Sequence, residues 1–390
     1  MKRVALSVAY MPLVDAAPLI LAEEMGFAAT EGLSLDLVPA PSWSSVRDML
    51  AFGRVDAAHM LSPIPVAMAL GLGGVATALS AVSVLSINGE VIGVGKRLEA
   101  RLRATGFAFD FRDARAASAA LASALEGRLT IGVPFPFSMH VELLRYWFDA
   151  TGLNGDRIDI RTVPPPLMAD ALTAGEIDAF CVGEPWGSAA VEAGVGALLL
   201  PGSAIWSFAP EKVLATRTGW AETEPHLLGR LMRAAWKAGR WLATSSSHTT
   251  ASEILSRKRY LDLPSEVIDR ALSGRLTISQ KGEQRTVERF AEFHHGAANF
   301  PWRSQARWIA HRIAARSGLD PATAADRAAD VFRTDLYRQA LQPLGAEMPG
   351  ASEKLEGAIQ HPTAVASASG GLILQPDGFF DGRIFDPHNR

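Results

Sequence analysis

Trp43, His140, Lys212 and Gly183 stand where a chain can offer hydrogen-bond donors to a ligand. Trp43 lies in a proline-rich turn, Ala40-Pro-Ser-Trp-Ser-Ser45, and its indole has an N–H and no acceptor. His140 follows Phe137-Ser-Met139 at a helix start, where free backbone N–H groups and the helix dipole favour an anion. Lys212, in Pro210-Glu-Lys212, brings a positive charge. Gly183 closes an apolar strand just before Glu184-Pro-Trp186, and a residue without a side chain lets backbone N–H approach a ligand closely. His59 ends a matching strand earlier in the chain. Convergent donors, a cation and excluded water are what a small anion needs, because burying such an ion unpaired costs several kcal/mol. Each residue also has a plainer use: Trp43 as a core anchor, Lys212 as a surface lysine, His59 and His140 as packing groups. Glu184 cannot itself hold an anion and reads as a partner of a base or a cap on the next helix.

The elements that must hold these residues carry one phrase twice. Gly53-Arg-Val-Asp-Ala-Ala-His-Met-Leu-Ser-Pro63 is echoed by Gly175-Glu-Ile-Asp-Ala-Phe-Cys-Val-Gly-Glu-Pro185. Each copy follows an alternating strand that ends in prolines, Leu35-Asp-Leu-Val-Pro-Ala-Pro41 and Ile158-Asp-Ile-Arg-Thr-Val-Pro-Pro-Pro166, and then a short helix. A strand-helix-strand unit used twice predicts two α/β lobes with ligand positions at the carboxyl ends of the strands. In the first lobe the pattern predicts strands at 3–9, 33–38, 56–61, 76–84 and 91–94, with helices at 15–25, 44–52 and 66–72. The second lobe begins with an Ala-, Arg- and Leu-rich connection over 97–126. Its strands are expected at 129–133, 158–163, 178–182 and 196–200, with helices at 139–150, 168–174 and 189–193. The division is therefore 1–94 with 206–390 for the first lobe and 95–205 for the second, hinged at 86–94 and 202–213. An amphipathic helix at 226–243 should lie on the first lobe. The last 45 residues, rich in Gly, Pro and Ser, read as an extended arm or loose tail.

Composition narrows the function. The 390 residues are 48% apolar and 20% charged with a net charge of −3, and no basic stripe follows a phosphate backbone, so direct nucleic-acid binding is not expected. No run of about 18 apolar residues predicts a membrane span, and no signal-peptide pattern precedes the first strand, so the expected location is the cytoplasm. The single Cys181 fits a reducing compartment. Gly-rich phosphate loops, nucleophile elbows and paired-histidine zinc motifs are absent, so neither an enzyme nor a cofactor is expected. His294-His295 invites a metal, but neighbours on a helix point about 100° apart, and no metal site is expected there.

Several segments in order carry a resemblance: Ala40-Pro-Ser-Trp43 with Val46-Arg-Asp48, Ala58-His-Met-Leu-Ser-Pro63, Asn88-Gly89, His140 with Leu144-Arg-Tyr-Trp147, Val163-Pro-Pro-Pro166, Cys181-Val-Gly-Glu-Pro-Trp186 and Pro210-Glu-Lys212. Over roughly residues 3 to 310 the chain resembles the nitrate/bicarbonate-binding protein family. That resemblance implies a two-lobed α/β periplasmic-binding-protein-like fold of the second type, with the ligand cleft between lobes and extra C-terminal helices. It implies a ligand set of Trp43, Asn88, Gly89, Glu90, His140 and Lys212, to which the strand-end positions of Gly183 and His59 are added, with Lys212 supplying the charge that nitrate binders use where bicarbonate binders carry an acid. Nitrate binders read Asn-Gly-Gln where this chain has Asn88-Gly89-Glu90. An ionised Glu90 would repel nitrate unless paired or protonated, which raises the standing of bicarbonate.

The family also holds cytoplasmic nitrate/nitrite sensors that bind an ANTAR-type RNA-binding antiterminator until the anion arrives. With the expected location, the resemblance implies such a sensor of nitrate or nitrite, regulating nitrate assimilation genes; the alternative is the solute-binding component of a nitrate or bicarbonate ABC transporter. Pyrimidine-precursor synthases share the fold but need a pyridoxal-phosphate lysine and a cysteine-rich iron site, which a lone Cys181 does not provide.

Overall fold

The first strand, β1 (Val4–Tyr10), pairs in parallel with β2 (Leu33–Pro39) on one side and β3 (Ala57–Leu61) on the other. Each return requires a helix, Ala17–Glu24 before β2 and Trp43–Ala51 before β3. β4 (Leu79–Asn88) is buried along its whole length and lies two places from β3, with β10 (Pro210–Arg217) antiparallel between them. A two-residue strand, Ala291–Glu292, completes this first sheet, in the order Ala291–Glu292, β4, β10, β3, β1, β2. The computed structural model describes residues 3–153, 155–367 and 370–389.

The second sheet repeats the pattern with β5 (Glu90–Gly95), β6 (Leu129–Val133), β7 (Ile158–Thr162), β8 (Ala179–Gly183) and β9 (Gly196–Pro201), in the order β7, β6, β8, β5, β9. β5 and β10 are the two strands that carry the chain from one sheet into the other, and both insert antiparallel at the same place in their new sheet. Residues 91–94, expected in the first lobe, therefore belong to the second sheet. They are apolar on both faces and equally compatible with either sheet, and pairing with β8 and β9 decides it.

The duplicated phrase has a concrete structural meaning. Gly53 and Gly175 both take left-handed φ, 72° and 70°, past a helix end. The aspartate of each copy then ties its strand to the parallel neighbour: Asp56 N–H donates to Ser7 O and Asp178 N–H to Thr130 O. In return each carboxylate accepts the neighbour's N–H, Ser7 to Asp56 at 2.9 Å and Thr130 to Asp178 at 3.0 Å.

The C-terminal third packs on the sheets. Helix Pro225–Leu242 lies against Ala17–Glu24 and against Thr334–Leu341, burying Leu228, Leu231, Ala234, Ala235, Ala238 and Leu242. The final segment is extended, as expected, but it is pinned. Phe379 stacks on Trp206 at 4.8 Å and on Trp308 at 5.8 Å, Phe380 N–H donates to Ile205 O, and Lys354 bridges the buried Glu356 and Asp377. Aromatic residues spaced without period along a Gly- and Pro-rich stretch supply this anchoring, which periodicity does not register.

Candidate functional site

The carboxyl ends of the strands in both sheets meet around Lys212. Its ammonium is fully buried, 2.7 Å from Asp15 Oδ2, 2.5 Å from Glu211 Oε1 and 5.5 Å from the Trp43 ring centroid. Successive residues of a regular strand face opposite ways. The register of β10 against β4 shifts on both sides of Lys212, and this irregularity lets the neighbouring side chains of Glu211 and Lys212 meet.

Asp15 sits in the turn Val14–Ala16 that follows β1. Burial works to raise its pKa, but Lys212 and then His59 outweigh that and hold it at about 2, so it is a carboxylate. His59 Nε2 lies 2.9 Å from Asp15 Oδ1, while its Nδ1 accepts the Met11 N–H at 3.4 Å. That pairing fixes the neutral tautomer with the proton on Nε2, and burial, the largest influence, keeps the ring uncharged despite Asp15. His59 thus orients Asp15.

Trp43 is the first residue of helix Trp43–Ala51, whose N-cap Ser42 accepts the Ser45 N–H at 3.2 Å. Its ring is buried 5.4 Å from that of His59, and its indole N–H has no hydrogen-bond partner among the described residues. His140 is the second residue of helix Met139–Thr151, capped by Ser138. Its Nδ1 is 3.3 Å from Glu211 Oε1 and its Nε2 has no partner among the described residues. Burial, followed by the Lys212 charge, pushes its pKa well below the ordinary value, so it is neutral.

From the second lobe, Gly183 faces the Asp15–Lys212 pair. A Cβ placed there would lie 3.1 Å from Leu13 Cδ2, 3.6 Å from Asp15 Oδ2 and 3.9 Å from Lys212 Nζ. The neighbouring Glu184 takes the structural part expected of it, accepting the Ser188 N–H at 3.2 Å at the start of helix Trp186–Glu192. The lobes also touch at backbone carbonyls: Val14 N–H donates to Glu184 O at 2.9 Å, and the Trp186 indole Nε1 to Pro12 O at 2.8 Å.

Glu90 pairs with Gly183, the last residue of β8, as Lys212 pairs with Leu61, the last residue of β3. The two crossover strands therefore place a carboxyl and an ammonium at corresponding points of the two lobes. Glu90 is wholly buried over Gly202, neither oxygen has a hydrogen-bond partner among the described residues, and burial together with Glu211 raises its pKa to about 8. Burial thus favours its protonated form, and it makes no ion pair with a cation among the described residues. Burial likewise holds Glu211 at about 7, against the pull of Lys212.

Asn88 and Gly89, expected at the ligand, also join the two lobes. Asn88 Nδ2 donates to Ser207 O at 2.9 Å and its Oδ1 accepts the Ala209 N–H at 3.1 Å, so the amide clasps the two crossovers together. Gly89, at φ 104°, is the one-residue link between the sheets, and its carbonyl accepts the Glu184 N–H. Sequence reasoning missed Asp15, Glu211 and Ser86. The last pairs with Lys212 from β4, and its Oγ has no partner among the described residues. A lysine leading into the apolar run Val213-Leu-Ala215 demands a carboxylate once buried, and that was the available signal.

Chemically, the site offers one ammonium shared by two carboxyls, two unpartnered buried N–H or ring-nitrogen groups, and a protonated Glu90. A small planar oxyanion can accept from Trp43 and Lys212, while the carboxyls limit how much negative charge the site holds. Among the described residues no group of three or more His, Cys, Asp or Glu could hold a metal, and His294–His295 is accounted for by Trp236 and Glu292 beside it.

The chain matches the NMT1-like family over residues 1–256. The nitrate/nitrite binding protein NrtA of Synechocystis sp. (strain ATCC 27184 / PCC 6803 / Kazusa) is 30% identical over 393 residues, 97% of this chain and 82% of that protein. The nitrate import ATP-binding protein NrtC of the same organism is 33% identical over 354 residues, 88% of this chain but 51% of that protein, so the chain spans about half its length. The crystal structure of the periplasmic nitrate-binding protein NrtA from Synechocystis PCC 6803 superposes with a TM-score of 0.84 at 26% identity, covering 100% of this chain and 97% of that one. The architecture is accordingly the two-lobed periplasmic-binding-protein-like fold.

Proposed function

This chain belongs to the NMT1-like family, and on that premise we propose that it is a solute receptor that closes its two lobes on nitrate or nitrite for an ATP-driven importer. The observation that carries the reading is Lys212, wholly buried at the meeting of the lobes beside the unpartnered Trp43 indole. The likeness to a nitrate/nitrite binding protein along 97% of the chain supports it. It also supports a binding role in place of catalysis. Bicarbonate is a second reading, favoured by Glu211: it can donate its own O–H to a carboxylate, which nitrate cannot. A cytoplasmic sensor that releases an ANTAR-type antiterminator draws on the family resemblance alone. The relatives described above are named for binding and import, so the transporter reading stands first.

Titration calorimetry with nitrate, nitrite and bicarbonate tests the ligand. Lys212→Met is expected to abolish binding and to cost about 3–5 kcal/mol of stability at neutral pH, because Asp15 and Glu211 lose their cation in a buried place. Heat with none of the three anions would sink the receptor reading. Fractionation of native cells separates the roles: an import receptor works outside the cytoplasmic membrane, a sensor inside it. A pull-down with and without nitrate looks for an antiterminator partner.

A further inference from the structure

Glu90 and Glu211 stand at the start of the two strands that cross between the lobes, and both are wholly buried. Among the described residues neither oxygen of Glu90 has a hydrogen-bond partner, nor has Oε2 of Glu211. The charged and titratable groups facing them come from five elements. Asp15 lies in the turn after β1, with His59 of β3 behind it. Lys212 is on β10, His140 of helix Met139–Thr151 is 3.3 Å from Glu211, and Cys181 of β8 is close enough for both carboxyls to act on it. His59, His140 and Cys181 are uncharged through burial. One ammonium therefore serves Asp15, Glu211 and any incoming anion. Asp15 keeps a second partner in His59, so Glu211 is the group that an anion displaces from Lys212. A carboxylate stripped of its cation in such a place is too costly as an ion and takes a proton instead.

We propose that the cleft takes its anion together with one proton, carried on the Glu90 and Glu211 carboxyls, so that the solute enters as the equivalent of an acid. The Lys212–Glu211 ion pair breaks, the ammonium pairs with the anion, and a proton from solvent forms an O–H bond on the carboxyl. The buried charge is the same before and after. The ordinary poise of the two groups near neutrality supports this, since an anion on Lys212 moves both further up. Nitrate has no hydrogen and must draw the proton from solvent. Hydrogen carbonate brings an O–H that an ionised Glu211 can accept, and needs none.

The inference rests on the receptor reading, and calorimetry of the full chain tests the two separately. Titrations in buffers of different ionisation enthalpy at about pH 8 are expected to register uptake of about one proton per nitrate and close to none per hydrogen carbonate. Nitrate affinity should weaken by up to about tenfold per pH unit above the titration of the pair. Glu211→Gln is expected to lower the proton uptake and flatten the pH dependence whatever its absolute affinity, and Glu90→Gln to do so in part. Nitrate bound with no proton uptake would overturn the proposal and leave the receptor standing. Absence of heat with either anion from about pH 6 to about pH 8.5 would remove both.

Discussion

The Trp43 indole is the most direct probe of the site at the scale of single residues. Its ring packs against His59 and beneath Lys212, while its N–H has no partner among the described residues. Trp43→Phe keeps most of the packing and removes the donor. Anion affinity should fall roughly ten- to a hundredfold, the worth of about 1.5–3 kcal/mol for a hydrogen bond to a charged partner, with a melting temperature within a few degrees of the parent. An unchanged affinity would assign the indole to the core. The buried carboxyls make a second claim, on stability. Glu184 rises from an ordinary value of 4.5 to about 7, chiefly through burial, with the Ser188 hydrogen bonds opposing. A carboxyl whose folded pKa is raised stabilises the fold fully below its unfolded value and loses that contribution as pH climbs through the folded one. The window is thus about 4.5 to 7 for Glu184, and Glu90 extends it to about 8. His59 and His140, held neutral below their ordinary value, gain stability over part of the same range, so the carboxyl contribution is read as a difference: Glu184→Gln should gain stability relative to the parent as pH rises through this window. A difference in melting temperature between the two that does not change with pH would contradict it.

Individual strands and turns determine how far the lobes can close. Gly183 ends β8 with its Cα hydrogen turned to Leu13 and the Asp15–Lys212 pair. Gly183→Ala adds a methyl 3.1 Å from Leu13 Cδ2 without forcing the backbone into a left-handed conformation, so the element survives and the closed approach does not. Ligand affinity is expected to drop about tenfold or more while the melting temperature stays within a few degrees; small-angle scattering with ligand should show the more open form. An alanine variant that binds and compacts like the parent would mean that the cleft tolerates the methyl. Much of this layer was readable from residues alone. The left-handed Gly53 and Gly175 and the strand-tying Asp56 and Asp178 announce themselves because their work is local and is done twice. The placement of β5 was not readable, because residues 91–94 are apolar on both faces and sheet membership is settled by partners about 90 residues further on. Asp15 and Glu211 escaped for a similar reason: each matters only through an ion pair made across the fold. The clasp made by Asn88 was not readable either, because an amide suited to a ligand is equally suited to backbone groups of the other crossover.

Opening and closing of the whole molecule must contend with the C-terminal third. Helix Arg303–Ser317 packs on helix Pro63–Ala69 of the first lobe and reaches the second lobe with its last turns. Arg316 Nε donates to Glu142 Oε1 at 3.0 Å and its NH2 group to Pro136 O at 2.9 Å, with the guanidinium 5.2 Å from the Phe137 ring centroid. Glu142 is buried on the helix that presents His140, and burial raises its pKa despite Arg316, so the arginine is what keeps that carboxyl tolerable. Tyr146 OH on the same helix donates to Asp381 at 2.8 Å, and Arg312 meets Asp149 at 2.9 Å. Separation of the lobes therefore either breaks these contacts or drags the C-terminal helix off the first lobe. Arg316→Ala removes a charge-assisted pair worth about 1.5–3 kcal/mol at a site only 20% exposed, so bound anion should leave roughly ten- to a hundredfold faster while the association rate is little changed. Arg312→Ala, whose partner Asp149 is 68% exposed, should change release less than about threefold. Stopped-flow tryptophan fluorescence reads both rates. Equal, small effects from the two variants would mean that the C-terminal helix moves with the second lobe during opening; a large effect confined to Arg316 would make the Arg316–Glu142 pair the contact that holds the clamp shut.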